Sequence, residues 1–293
     1  MNGQRFREVT IEATDGHPLG ASVLEPRSGG RPWVVVSPAV GTPHGFYRRF
    51  GRFLGEAGYG VVLYDYRGIG ASAPRRLRGF DADMRDWGRR DYGGVLRWAA
   101  GRAGGAGVFV IGHSFGGQIL GMPEDPPALR AAVIVASQSG YWGHWPWPMR
   151  LWVGAIWWAI IPAATAALGY FPSRLIAFGE PLPAGAALQW ARWGRHPDYL
   201  FGFLDEAERR RYATLDTPIL TWSFTDDPIA IEPAVAALLR GYPGAPIDWR
   251  RVRPRDAGLG RVGHHGFFRE DAREALWRPT LEWLEARTAT PAG

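Results

Sequence analysis

The 293 residues carry a formal charge of +6, 46% hydrophobic residues and no cysteine, which excludes disulfides, thiolate catalysis and Cys-based metal sites. All 34 basic residues are arginines, and their clusters (Arg75-Arg76, Arg209-Arg210-Arg211, Arg250-Arg251) are scattered among acids without a nucleic-acid-binding motif. Nucleic acid is therefore not an expected partner. Met1 to Glu12 is polar, with no apolar signal core, which points to the cytoplasm.

In chain order, Glu8–Ala13 and Leu19–Leu24 alternate in polarity around the Asp15-Gly16 turn and predict two strands. Trp33–Val36 is an apolar run typical of a strand covered on both faces. Phe46–Ala57 has helical spacing and stops at Gly58, and Val61–Tyr64 is the next buried strand. Asp83–Ala100 predicts a helix, and Val108–Ile111 and Ala132–Ala136 predict strands. After a break, Ile219–Trp222 and Ile247–Val252 read as strands, with Glu232–Arg240 and Asp271–Arg287 as helices. Strands alternating with helices predict an α/β fold: a mostly parallel sheet of about eight strands with helices on both faces.

The break runs from 141 to 212, shows no strand signal and is dense in tryptophan. It divides the chain into a first core part (1–140), a helical insertion (141–212) and a second core part (213–293). Leu151–Ser173 is uncharged and long enough to span a bilayer. A single crossing would put the two halves of one sheet on opposite sides of the membrane, and Pro162 and Pro172 should interrupt the run. The insertion therefore reads as a cap over an apolar pocket, with lipid contact through its surface as the alternative. Thr288–Gly293 reads as a frayed tail.

The chemistry centres on Gly112-His113-Ser114-Phe115-Gly116, which directly follows a buried strand. Gly-x-Ser-x-Gly allows a sharp turn that lifts the serine hydroxyl clear of the sheet and turns the next N–H toward it. Such a serine needs a base within hydrogen-bond reach and a carboxylate to orient that base. Of seven histidines, only His264 and His265 follow the last strand, and His264 is favoured. Asp226 and Asp227 stand in the turn after the strand that begins at Pro218-Ile219. Oxyanion donors are expected from the N–H of Phe115 and of Ala39, with Val40 as the alternative, because Pro38 has no N–H. Val40, Gln138, Trp142, Trp190 and Trp193 are candidate substrate contacts. Glu180 is the one faint candidate anchor for a substrate amine. Asp65-Tyr66-Arg67-Gly68-Ile69-Gly70 reads as a loop-bracing motif. Nothing in the sequence calls for a cofactor or a metal.

Together these segments, with Ser37–Gly41, Phe46-Tyr47, Ser139–Trp142 and Gly263-His264, resemble the α/β-hydrolase superfamily over nearly the whole chain. Within it the chain is similar to bacterial hydrolases related to serine aminopeptidases and lysophospholipases. The resemblance implies Ser114 as nucleophile, His264 as base and, counting from Pro218, Asp227 as acid. It implies hydrolysis of a carboxylic ester, with acyl transfer by the same residues as the alternative. Two departures stand out: Ser37-Pro38 replaces His-Gly in the oxyanion loop, and Phe224 stands where glycine is usual. A non-catalytic ligand-binding or membrane-surface protein is the reading from a different class.

Overall fold

The computed structural model describes residues 5–28, 30–176 and 179–288. The tail expected at Thr288–Gly293 lies, beyond Thr288, outside the described residues. Eight strands form one sheet: β1 (Arg7–Glu12), β2 (Pro18–Leu24), β3 (Trp33–Ser37), β4 (Gly60–Tyr64), β5 (Val108–His113), β6 (Leu129–Val135), β9 (Ile219–Phe224) and β10 (Ile247–Val252). Their order is β1-β2-β4-β3-β5-β6-β9-β10. β2 runs antiparallel to β1 and β4, and every other pair is parallel. The central strands β3 to β6 read as near-continuous apolar runs because helices cover both faces.

Helices α1 (Arg48–Glu56) and α8 (Arg278–Thr288) lie in one layer, where Phe50 and Phe53 of α1 meet Trp277, each with ring centroids 5.4 Å apart. Helix α2 (Tyr92–Ala103) packs on β3, with Trp98 edge-on to Trp33 at 5.3 Å. These aromatic contacts fill space between helices and sheet within the hydrophobic core.

Between β6 and β9 the insertion supplies α3 (Met149–Ala155), a π-helical turn (Ile156–Ile160), α4 (Ile161–Leu168), α5 (Ala184–Gly194) and α6 (Glu206–Thr214). Two sequence expectations change here. Pro162 does not interrupt the helix, which runs unbroken from Met149 to Leu168. The wider π turn stands just ahead of the proline, where its missing N–H and ring would disrupt a regular α ladder. The insertion also contains strands: β7 (Tyr170–Phe171) and β8 (Leu182–Pro183) form an antiparallel ribbon of two residues each, too short for a periodic signal. The insertion is bonded to loops at the carboxyl ends of the core strands. Trp145 Nε1 donates to Pro228 O at 2.8 Å, and Glu180 N donates to Gly41 O at 2.7 Å. The strands on either side of the cap, β6 and β9, pair directly at Ala132↔Ile219, so the chain leaves and re-enters one sheet.

Candidate active site

Ser114 follows β5 in a 3-10 turn (Ser114–Gly117), with a φ of 50° in a region that non-glycine residues seldom occupy. Close packing explains the flanking glycines. A Cβ on Gly116 would sit 2.1 Å from Ser37 O, and one on Gly112 would sit 2.6 Å from the Gly116 backbone. Phe115 heads the turn, so its N–H has no acceptor within it.

The loop after β10 carries His264, whose Nδ1 is 2.8 Å from Asp227 Oδ2. The other carboxylate oxygen, Asp227 Oδ1, accepts the N–H groups of Ile229 (2.8 Å) and Ala230 (3.1 Å). Burial opposes ionisation of Asp227, but its electrostatic interaction and hydrogen bond with His264, with the two backbone N–H donors, outweigh it and hold the carboxyl below its usual range. Nε2 of His264 is buried and makes no hydrogen bond. Asp226 faces away from the imidazole. Its carboxylate accepts the N–H groups of Val262 and Gly263, each at 3.0 Å, and so shapes the turn that presents His264.

A buried relay joins this loop to the serine turn (the elbow, Gly112–Gly116) and to the expected oxyanion loop after β3. His113, which precedes Ser114, has Nε2 2.8 Å from the backbone oxygen of His264. A carbonyl only accepts, so Nε2 carries the proton and Nδ1 is an acceptor. The Tyr47 hydroxyl, 2.8 Å away, therefore donates to Nδ1 and accepts the Ala39 N–H at 2.9 Å. Burial, reinforced by the neighbouring His265 and His264, drives the His113 pKa well down and keeps it neutral. Sequence reasoning missed this relay. Tyr47 and His113 stand in quoted motifs, but no local pattern announces a contact between residues 66 positions apart.

The relay corrects the expected oxyanion donor. The Ala39 N–H already binds the Tyr47 hydroxyl, and Ala39 is buried, so it is not free for a substrate. The N–H of Val40 makes no hydrogen bond among the described residues. The structure also accounts for Ser37-Pro38. The Ser37 hydroxyl lies 2.9 Å from the hydroxyls of both Tyr64 and Tyr66, and Tyr66 Oη donates to Pro38 O at 3.2 Å. Tyrosine hydroxyls thus brace this loop.

The other expected residues divide. Gln138 is buried with its Oε1 unpaired, while its backbone oxygen accepts from Gln118 Nε2 at 2.7 Å. Trp142 is half-buried and stands edge-on to Trp158. Trp190 is nearly buried and donates to Tyr199 Oη at 3.0 Å. Trp193 corrects the expectation: at 2% exposure it packs against Tyr199 inside the cap, with no free surface for a substrate. Glu180 is a brace rather than a free anchor, because its carboxylate accepts the Gly70 N–H at 2.8 Å. Arg67 of the loop after β4 forms a two-sided clamp on Asp91 and Asp15.

A mostly parallel sheet of this order, a serine turn at the end of its fifth strand and a helical insertion between β6 and β9 define an α/β fold of hydrolase type. The chain belongs to the alpha/beta hydrolase family, whose profile matches residues 34–278. No curated protein matches it. Among solved structures it is similar to a putative hydrolase from Agrobacterium vitis S4, with 16% identity, 97% of this chain and 99% of that one covered, and a TM-score of 0.62. It is also similar to a thermostable carboxyl esterase from Bacillus coagulans, with 14% identity, 97% and 99% coverage and a TM-score of 0.67. An esterase from Exiguobacterium antarcticum shares 18% identity, over 95% and 100% of the two chains, with a TM-score of 0.61. At these identities the likeness is one of fold.

Proposed function

We propose that this protein is a serine hydrolase that cleaves a carboxylic ester through an acyl-enzyme. The observation that carries the reading is the pairing of His264 Nδ1 with the buried Asp227 carboxylate, which leaves Nε2 without a partner on a loop fastened to the residue before Ser114. With the proton held on Nδ1 by Asp227, Nε2 is the basic nitrogen. It takes the Ser114 proton as the hydroxyl oxygen attacks the ester carbonyl. The N–H groups of Phe115 and Val40 receive the developing oxyanion. The imidazolium then protonates the departing alcohol. A water molecule, deprotonated by the same nitrogen, opens the acyl-enzyme and regenerates Ser114. Asp227 remains ionised throughout and stabilises the imidazolium. The apolar, tryptophan-rich cap favours an apolar acyl or aromatic group.

The test is covalent labelling with a fluorophosphonate probe, followed by turnover of p-nitrophenyl esters of increasing chain length. The native protein should label and turn over, and Ser114→Ala should do neither while keeping its fold by circular dichroism. A folded native protein that does not label refutes the assignment. Turnover that rises with added alcohol, together with a transesterified product, would assign acyl transfer instead.

A further inference from the structure

The cap helix Met149–Leu168 has 20 residues, and its most apolar stretch has a mean hydropathy of 1.7, yet only 22% of that stretch is buried. A helix on the surface of a soluble protein normally turns a polar face outward, and one that is apolar all round is normally buried. This helix does neither. Its outward positions include Leu151 (53% exposed), Trp152 (51%) and Trp158 (49%), and Trp147 just before it is 73% exposed. Further along the same helix, Ala159, Ala163 and Ala166 are also exposed. Arg150 is the helix's sole charged residue.

Along this stretch of the chain the charge is predominantly positive. Between Asp125 and Glu180 the sequence contains no acidic residue. Exposed Arg150 stands at the start of the helix. At its end, Arg78 donates to Ala167 O and Leu168 O, and Arg174 is exposed just beyond. Arg75 and Arg76 are exposed in the same loop as Arg78. Two copies meeting face to face would set arginine against arginine. An anionic bilayer supplies both an apolar layer for the tryptophans and leucine and negative headgroups for the arginines. Indole rings are suited to that boundary, with an apolar body and one N–H donor.

We propose that this face of the cap docks the protein peripherally on anionic lipid, with the helix lying in the plane of the interface. The helix does not span, because the chain enters it from β6 and returns to β9, two paired strands of one sheet. The docking assignment stands apart from the ester-hydrolase reading, since it rests on the outer face and not on Ser114.

The experiment is cosedimentation of the full chain with two kinds of vesicle: phosphatidylcholine alone, and equal parts phosphatidylcholine and phosphatidylglycerol. The native protein should bind the mixed vesicles, and more weakly at high salt and on phosphatidylcholine alone. The double variant Leu151→Ser/Trp152→Ser should reduce the partition coefficient about tenfold or more, because two large apolar groups no longer enter the interface. Both residues are exposed, so the variant should melt with the native protein. Failure of the native protein to bind the mixed vesicles would overturn the proposal, as would binding unchanged in the double variant. Dimerisation through this face without vesicle binding, seen by analytical ultracentrifugation, would assign the face to a second copy instead. Ester turnover in solution separates the two proposals, because a lipid-binding protein with no activity would overturn only the hydrolase reading.

Discussion

Removing one hydroxyl, in Tyr47→Phe, tests whether the elbow, the histidine loop and the oxyanion loop are held as a unit. The ring stays where it is, against Phe46, His113 and Phe268, so little apolar packing is lost. Two buried groups lose their partner: the Ala39 N–H at 2.9 Å and His113 Nδ1 at 2.8 Å. Leaving a buried donor or acceptor unsatisfied costs about 1–3 kcal/mol, so the pair should cost about 2–6 kcal/mol. That is a large share of the roughly 5–15 kcal/mol that stabilises a typical domain. At about 2–4 °C per kcal/mol, Tm should fall by about 5–20 °C. On a His113→Leu background one orphan has already gone, so the same substitution should cost about 1 kcal/mol less or better. Calorimetry gives Tm, and ester turnover should lose kcat more than KM, because misplaced loops harm the transition state more than binding. A Tyr47→Phe protein that melts within about 2 °C of the native one and keeps full kcat would refute the relay.

Two further results are expected. Asp227→Asn should lower kcat about 10³–10⁴-fold by removing the acceptor that fixes the His264 tautomer. Asp226→Asn should cost only about tenfold, because it loosens the Val262-Gly263 turn without touching the ring, and equal, mild losses would reverse the assignment. Stability should fall on acidification below about pH 6.5, the ordinary histidine value. Burial, with help from His264, pushes His265 down to about 4, so the unfolded chain takes up its proton first. Its contribution is whole above the unfolded value and is lost as pH falls toward 4, about 3 kcal/mol at most. His265→Gln should flatten that slope in urea titrations at stepped pH, and an unchanged slope would remove His265 as its cause.

Short-range features were legible in the sequence because a local spacing encodes them. The elbow could be read because the sheet demands two glycines around one residue of positive φ. The central strands could be read because burial on both faces leaves uninterrupted apolar runs. Only the count from Pro218 favoured Asp227 over its neighbour Asp226 in the sequence, and in the three-dimensional turn Asp227 meets the imidazole while Asp226 holds the backbone. Ala39 as a donor was misjudged for the same reason: its N–H is claimed by a tyrosine whose hydroxyl also belongs to His113. Trp193 and Trp152 are the same residue type in one cap, yet one is packed inside and the other faces out. From sequence, Trp193 is a candidate substrate contact and Trp152 has no role, yet packing buries the first and exposes the second.

The structure also holds a second Ser–His–Asp set, which shows what spacing alone does not supply. Ser22 Oγ lies 2.7 Å from His44 Nε2, and His44 Nδ1 lies 2.7 Å from Asp65 Oδ2. Those distances would suit a catalytic triad. Ser22, however, sits within regular strand β2 and is wholly buried. Its oxygen is also shared with Glu8 Oε2 at 2.8 Å and Arg48 Nη2 at 2.9 Å. The Asp65 carboxylate also accepts the N–H groups of His44 and Ala71, which spends it on holding two loops together. No turn lifts Ser22 clear of the sheet, because it lies within the strand. Ser114 has the strained turn and an N–H at the head of its own short helix, and the loop beside it carries a histidine nitrogen with no partner. What distinguishes the candidate catalyst is therefore the unsatisfied polar groups gathered around one serine, since a fully satisfied set of the same three residues has no capacity left for a substrate.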